Sequence, residues 1–219
     1  MTDITDFITK DIKALRITDS VADAQDLFAD YPFSHFPVLE DGVYIGSARA
    51  EDVELMDIDK TMADVRFSFD RFFVRDTALW LDVLEVFAKN ETNLLPVLDK
   101  DNKYLGYYEI TDIITFFHET PFLKENGGII VVEKGVDDYS MSQAAQIVES
   151  NNGRLLGLFI SEANMEKVQI TLKISLGGMS DILQTFRRYN YDIITEHQED
   201  AYLNTLKERS DYLDKYLNI

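Results

Sequence analysis

The apolar positions in the first third of the chain change their spacing in a fixed order. Val21, Ala24 and Phe28 recur at the three- and four-residue spacing of a helix. The apolar run "FPVLE", a hairpin turn at "DG" and the strand-like run "VYIGSA" follow. A second helix is expected through Asp52 and Met56. The pattern therefore predicts the order helix, strand, strand, helix.

The same order of elements returns further along the chain. Val83, Val86 and Phe87 predict a helix, and the apolar run "LLPVL", a turn at "DKDN" and the strand "KYLGYY" come after it. Another helix is expected from about Glu109 to Phe117. The chain is therefore expected to contain an internal repeat.

The two copies align residue by residue. Pro37 lies 59 residues before Pro96, and one extra residue in the second turn makes the offset 60 beyond it. The identical pairs are Asp23 and Asp82, Phe28 and Phe87, Ala29 and Ala88, Pro37 and Pro96, Val38 and Val97, Leu39 and Leu98, Tyr44 and Tyr104, Gly46 and Gly106, and Asp52 and Asp112. Because one short copy leaves a sheet face exposed, we expect the two copies to pair.

This double arrangement resembles a tandem pair of CBS domains, known as a Bateman module. The resemblance rests on the Pro-Val run, the acidic turn, the glycine of the next strand and the Asp six residues after it. It predicts one domain at 1–60 and a second at 61–122. It also implies that clefts between the copies bind adenosine-containing ligands and pass their occupancy to an attached domain, without catalysis.

The resemblance implies a set of site residues. Asp52 and Asp112 occupy the position of the Asp that accepts hydrogen bonds from ribose hydroxyls. Three residues earlier the family has Ser or Thr, whereas "GSARAED" has Arg49 and "GYYEITD" has Glu109. An arginine at a helix start can bind a phosphate, and a glutamate repels one. We therefore expect the ligand in the cleft that contains Arg49 and Asp52.

The same residues also have purely structural interpretations. Asp in the first turn of a helix is stabilised by the helix dipole without any ligand, which applies to Asp52 and Asp112. His35 lies where the family lines its adenine pocket, but a single histidine beside a strand is also typical of simple packing. Both interpretations of these residues stay open at this point.

The remainder of the chain follows a different pattern. A strand at "GIIVVEKGV", a helix through Met141, Ala144 and Val148, two strands at "RLLGLFISE" and "KVQITLKIS", a helix at "GGMSDILQTFRRYN" and a strand at "YDIITEHQ" are predicted. This βαββαβ order is that of the ferredoxin-like fold. The whole chain is therefore expected to be an α+β protein, with this unit at 127–199 and a C-terminal helix at 200–219.

A ferredoxin-like unit behind a regulatory module resembles an ACT domain, a fold that often binds amino acids at dimer interfaces. The ACT ligand loop commonly reads Asp, any residue, Pro, Gly, but "VDDYSMS" keeps only Asp138. A dimerising or transmitting role is therefore expected for this ACT-like domain. The combination resembles the accessory proteins named for acetoin utilisation. The C-terminal helix is expected either to dimerise or to pack on the body of the protein.

Composition narrows the choice of partners. The formal net charge of the 219 residues is -19, which repels phosphate backbones and anionic membrane surfaces. No apolar run approaches the roughly 18 residues of a membrane span. The first residues are acidic where a signal peptide is basic, and there is no cysteine. We expect a cytoplasmic protein with neither nucleic acid nor membrane as a partner.

Motifs for catalysis are missing from the sequence. It has no P-loop, no G-x-G-x-x-G and no nucleophile elbow, and His35, His118 and His197 lie far apart. We therefore expect a homodimeric, non-catalytic regulatory protein that senses an adenosine-type ligand, either an adenine nucleotide or S-adenosylmethionine. The alternative is a CBS and ACT scaffold without ligand, which serves for dimerisation or for binding an unidentified protein partner. No metal site is expected.

Overall fold

The computed structural model describes residues 3–175 and 178–195. The chain divides into two compact units, Met1–Glu119 and Thr120–Ile219. The predicted helix at 200–219, its role in dimerisation, and His197 lie outside the described residues.

The first repeat of the first unit forms a three-stranded sheet with two helices. Its elements are β1 (Leu15–Arg16), α1 (Val21–Asp30), β2 (His35–Glu40), β3 (Val43–Arg49) and α2 (Ala50–Glu54). The sheet order is β1-β2-β3, with β1 parallel and β3 antiparallel to β2. The sequence pattern missed β1, because two residues are too short to show a period. It also placed the end of the second helix two residues too late.

Local sequence signals set the boundaries of this repeat. The Ser20 hydroxyl accepts a hydrogen bond from the Asp23 backbone N–H at 3.0 Å, and the Asp23 carboxylate accepts one from the Ser20 N–H at 3.0 Å. This capping box starts α1. Asp41 and Gly42 both have positive φ angles, 50° and 82°, as a tight two-residue hairpin turn requires.

The second repeat has the same construction. Its elements are β4 (Val74–Arg75), α3 (Trp80–Lys89), β5 (Leu94–Leu98), β6 (Tyr104–Glu109) and α4 (Ile110–His118). The sheet order is β4-β5-β6, again with a parallel and then an antiparallel pair. The last helix starts and ends one residue later than predicted, and β4 was missed for the same reason as β1.

The two repeats contact each other through reciprocal hydrogen bonds. The Asn93 side-chain oxygen accepts a bond from the Ser34 backbone N–H at 2.8 Å, and the Ser34 hydroxyl accepts one from the Asn93 N–H at 3.3 Å. Leu94 and Tyr107 of the second repeat are buried in the core of the first. The repeats therefore fold as one pseudo-symmetric body, as the internal repeat predicted.

Two glycines allow an outer segment of chain to cross each sheet. The backbone of Thr9 pairs with Tyr107, and that of Asp70 pairs with Ser47. A Cβ atom on Gly106 would lie 2.4 Å from the Thr9 carbonyl oxygen, and one on Gly46 would lie 2.7 Å from Phe69. The glycine shared by both copies is thus required by close backbone approach.

The second unit is a four-stranded antiparallel sheet with helices. Its elements are α5 (Pro121–Lys124), β7 (Gly127–Gly135), α6 (Met141–Ser150), β8 (Leu155–Ala163), β9 (Lys167–Ser175), α7 (Met179–Arg188) and β10 (Asp192–Ile193). The strand order is β10-β7-β9-β8, and each neighbouring pair is antiparallel. From β7 to β10 the elements follow the βαββαβ order. The assignment of this unit as an ACT-like domain stays a prediction.

We expect Gly106→Ala to lower the free energy of unfolding by roughly 2 to 4 kcal/mol, because the new methyl group meets the Thr9 carbonyl and φ is 144°. Gly42→Ala is the matched control. It also has a positive φ, but nothing lies within 4 Å of its Cβ position, so we expect a loss of only about 1 to 2 kcal/mol. Urea unfolding measures both, and equal losses would contradict the role assigned to the crossing segment.

Candidate functional site in the clefts between the repeats

The first cleft lies beside the end of β3. It has a cavity volume of about 260 Å³ and is lined by Arg49, Asp70, Phe72, Lys89, Asn90 and Glu91. Arg49 is the last residue of β3 and the N-cap of α2, while Lys89 ends α3 of the other repeat. The Arg49 side chain makes no capping hydrogen bond. The guanidinium group therefore lines the cleft without a role in capping the start of the helix.

The charges of the first cleft are balanced. Arg49 and Lys89 supply two cations, and Asp70 and Glu91 supply two carboxylates. In a chain with a net charge of -19 this is a locally favourable place for an anion. The cleft is therefore able to hold a phosphate group by charge-assisted hydrogen bonds.

His35 lies behind the wall of this cleft. Its side chain is 1% exposed, with Nε2 3.3 Å from the Asp70 carboxylate and Nδ1 2.9 Å from the Ser34 hydroxyl. The ring also packs edge-on against Phe72, with a centroid distance of 5.1 Å. His35 is thus connected to the cleft through Asp70, Phe72 and its strand partner Arg49, and it does not line the cavity.

Burial has the largest influence on the pKa of His35. Desolvation lowers the pKa of the imidazole below its usual value, and the neighbouring Asp70 carboxylate opposes that shift. Weaker contributions come from Arg49, which lowers this pKa, and Asp52, which raises it. The structure therefore brings three of the four sequence-predicted site residues, His35, Arg49 and Asp52, to one side of the module.

Asp52 and Asp112 both lie in the first turn of a helix, as predicted. Asp52 is exposed and is not among the residues that line the first cleft. Asp112 accepts a hydrogen bond from the backbone N–H of Glu109, which lowers its pKa, although burial raises the pKa more strongly. Asp112 thus acts as a helix cap, and it belongs with Glu109 to the other side of the module.

The second cleft is the pseudo-symmetric counterpart of the first. It has a cavity volume of about 370 Å³. Its apolar wall consists of Ile12, Tyr31, Pro32, Phe33 and Ile110, and its polar residues are Asn93, Glu109 and Thr111. Within residues 3–175 no Lys or Arg lines this cavity.

Carboxylates dominate the electrostatics of the second cleft. Burial raises the pKa of Glu109, and the charges of Asp112 and Asp11 raise it further. Glu109 is the N-cap of α4 but makes no side-chain capping bond. The arrangement disfavours an anion.

Sequence reasoning missed Asp70 and Lys89 of the first cleft and the aromatic wall of the second. Asp70 and Lys89 come from the second repeat, outside the segment that begins with Gly46, so the motif holds no signal for them. The run Tyr31-Pro32-Phe33 directly follows α1, and its aromatic character was a signal that could have been used.

The family comparison agrees with this geometry. Residues 4–53 and 63–119 match the CBS domain. The chain contains a tandem pair of CBS domains. The two matched segments coincide with the two repeats, so each cleft of the CBS pair is built from both domains.

Solved structures of CBS pairs are similar to this chain. A CBS domain pair/ACT domain protein from Thermotoga maritima is 20% identical, with 54% of this chain and 98% of that chain covered and a TM-score of 0.49. The CBS domains of a transcriptional regulator from Streptococcus pneumoniae are 22% identical, with 52% and 98% covered and a TM-score of 0.47. CBSX2, solved in complex with AMP, is 20% identical, with 53% and 96% covered and a TM-score of 0.46. No curated protein sequence matches the chain.

Residues 3–175 and 178–195 contain no helix that combines the length and the apolar character that crossing a membrane requires. The same part of the chain holds no group of three or more His, Asp or Glu side chains arranged to bind a metal ion.

We expect the stability of the CBS pair to fall below about pH 6.5 relative to that of His35→Gln. The unfolded chain takes up a proton on His35 near its ordinary pKa, whereas the buried native ring takes it up only at lower pH. Acidification therefore favours the unfolded state of the wild type.

Thermal unfolding of both proteins between about pH 8 and pH 5.5 measures this difference. His118→Gln, at a histidine that is 64% exposed, controls for the loss of one imidazole. A pH dependence identical in the wild type and in His35→Gln would show that the burial of His35 has no energetic consequence.

Proposed function

We propose that this protein is a non-catalytic regulatory protein whose CBS pair senses an adenosine-type ligand and transmits its occupancy to the ACT-like unit. The observation that carries the proposal is that Arg49 and Lys89, from different repeats, line one cavity. A ligand that contacts both side chains therefore bridges the two CBS domains. Such a contact is what a sensor requires, because it makes the ligand prefer one arrangement of the pair.

The chemistry of the first cleft favours the phosphate of an adenine nucleotide. Arg49 offers a planar guanidinium group for bidentate bonding, and Lys89 offers a point charge. Asp52 is exposed in the helix that starts directly after Arg49, so its carboxylate is available to ribose hydroxyls. The His35 ring contacts the Asp70 carboxylate and does not contact the ligand.

Transmission has a covalent route through α4. This helix packs against α3, which ends at Lys89 of the first cleft, and it runs from Ile110 to His118. The next residue, Glu119, is the last of the first unit. A change in the position of α4 therefore passes directly to the start of the second unit along the chain.

One observation favours the alternative of a CBS and ACT scaffold without ligand. Asp70 and Glu91 already balance the two cations of the first cleft, and neither copy has the hydroxyl residue of the family at the positions of Arg49 and Glu109. In this alternative the module assembles with a copy of itself or with a protein partner, and the clefts have no ligand.

We expect Arg49→Glu to weaken AMP binding at least tenfold, because it replaces a charge-assisted hydrogen bond worth about 1.5 to 3 kcal/mol with repulsion. Arg66→Glu is the matched control, since it makes the same charge change at an exposed position outside both clefts. Isothermal titration calorimetry measures both affinities. An equal loss in the two variants would mean that AMP binding responds only to the net charge of the protein. No heat of binding in the wild type would favour the scaffold without ligand.

The protein is expected to form a homodimer. Large apolar side chains of the first unit are exposed, including Leu55 at 87%, Phe67 at 86% and Leu79 at 70%. Apolar surface of this kind is commonly covered by a second copy. Sedimentation equilibrium at micromolar concentration is expected to give twice the chain mass of 25.2 kDa. A mass of one chain would contradict the homodimer.

A further inference from the structure

The sheet of the second unit buries one of its faces against α6 and α7. The core of this unit lies between the sheet and these two helices, and it includes Ile130 of β7 and both Ile170 and Leu172 of β9. Successive side chains of a strand point to opposite faces of a sheet. Val131 and Thr171, which are neighbours of the buried residues, therefore point to the other face.

A row of side chains crosses this other face, with one residue from each strand direction. Val131 pairs with Thr171, and Thr171 pairs with Phe159 of β8. Directly after β10, the Ile194 backbone N–H donates to the Val131 carbonyl at 2.9 Å. Because Ile193 packs against the core, Ile194 points to the same side as the row. We call these four residues the open-face row.

The open-face row is part of a larger apolar surface. Its two ends, Ile194 and Phe159, are each 48% exposed, and Ile129 beside it on β7 is 46% exposed. The Phe122 ring of α5 lies next to Phe159, with 6.1 Å between the ring centroids. Contiguous exposed apolar side chains of this kind commonly mark a contact site. This face is therefore suited to bind another apolar element.

The chain leaves the described residues beside the open-face row. The hydroxyl of Thr195, the last of them, accepts a hydrogen bond from the Val131 backbone N–H at 3.2 Å. An extended chain covers roughly 3.3 to 3.6 Å per residue, so the six residues 196–201 can reach about 20 Å. Residues 202–219 are thus tethered close to this face, which gives them a high effective concentration there.

The sequence after this tether has the period of an amphipathic helix. Residues at spacings of three, four, three and four are Leu203, Leu206, Ser210, Leu213 and Leu217. A helix rises about 1.5 Å per residue, so Leu203 and Leu213 would lie roughly 15 Å apart along it. Strands lie about 4.8 Å apart, so the open-face row is roughly 14 Å long. The leucine stripe therefore fits the row in length.

The one polar position of the stripe also fits the one polar position of the row. Ser210 would lie about 10 Å along the helix from Leu203, and Thr171 lies about 10 Å along the row from Ile194. The Thr171 hydroxyl donates to Ser161 Oγ at 2.9 Å, so its oxygen is still able to accept a hydrogen bond. The Ser210 hydroxyl can donate that bond, which leaves neither group buried without a partner.

We propose that residues 202–217 form an amphipathic helix that lies across the open face of this sheet in the same chain, with its leucine stripe on the open-face row. Ser210 then lies at Thr171, and Leu213 lies at Phe159. The C-terminal segment covers a surface that would otherwise be open to a second copy of the sheet. This inference does not depend on ligand binding by the CBS pair.

Disulfide cross-linking tests the arrangement, because the chain has no cysteine of its own. Phe159→Cys with Leu213→Cys places two thiols on the proposed contact, whereas Phe159→Cys with Tyr212→Cys places one on the far side of the helix. We expect the first pair to form a disulfide within one chain at least tenfold faster, as measured on non-reducing gels and by mass spectrometry. Equal rates in the two pairs, or a disulfide that joins two chains, would overturn the proposal.

Thiol labelling of Phe159→Cys alone measures how well this face is covered. Adding Leu213→Asp puts a charge against the apolar row, so we expect labelling to become roughly tenfold faster. Adding Tyr212→Asp puts the same charge on the far side of the helix, and we expect little change. Equal labelling in these two variants would contradict the proposed cover. Labelling that slows as the protein concentration rises would show that a second copy covers the face, and it would also overturn the proposal.

Discussion

The reciprocal hydrogen bonds between Ser34 and Asn93 are the contact on which the rest of the first unit depends. They join the starts of β2 and β5, so that each repeat covers the part of the sheet that the other leaves open. The same two residues are also connected to both clefts. Ser34 bonds to His35, which contacts Asp70 of the first cleft, while Asn93 lines the second. The contacts that pair the two repeats therefore also build both clefts.

Symmetry of the backbone is combined with asymmetry of charge. Both repeats bury the same positions of their second hairpin strand, and the N-cap residue of the following helix makes no side-chain capping bond in either copy. At the residue before that helix, however, one copy has Arg49 and the other Glu109. Because electrostatic attraction between a site and its ligand depends on the sign of such a residue, a duplicated fold supports two unlike sites. In a strongly acidic chain, the two cations of the first cleft make it a distinctive place for an anion.

The sequence predicted the elements that have their own period or turn chemistry. The alternation of Val168, Ile170 and Leu172 marked β9, and the Asp41-Gly42 turn marked the first hairpin. It missed β1 and β4, which exist only because they pair with a neighbouring strand. It also missed Lys89 and Asp70, since the packing of one repeat against the other brings them to Arg49. Residues that only tertiary packing brings to a site have no local sequence pattern from which the site could be predicted.

We propose that the CBS pair has one anion-binding cleft per chain, built by Arg49 and Lys89. A crystal structure of the full chain with AMP tests this site, because it locates the phosphate. We expect one AMP per chain, with phosphate oxygens within about 3 Å of both cationic side chains. A phosphate bound beside Glu109, or equal occupancy of the two clefts, would show that this assignment is wrong.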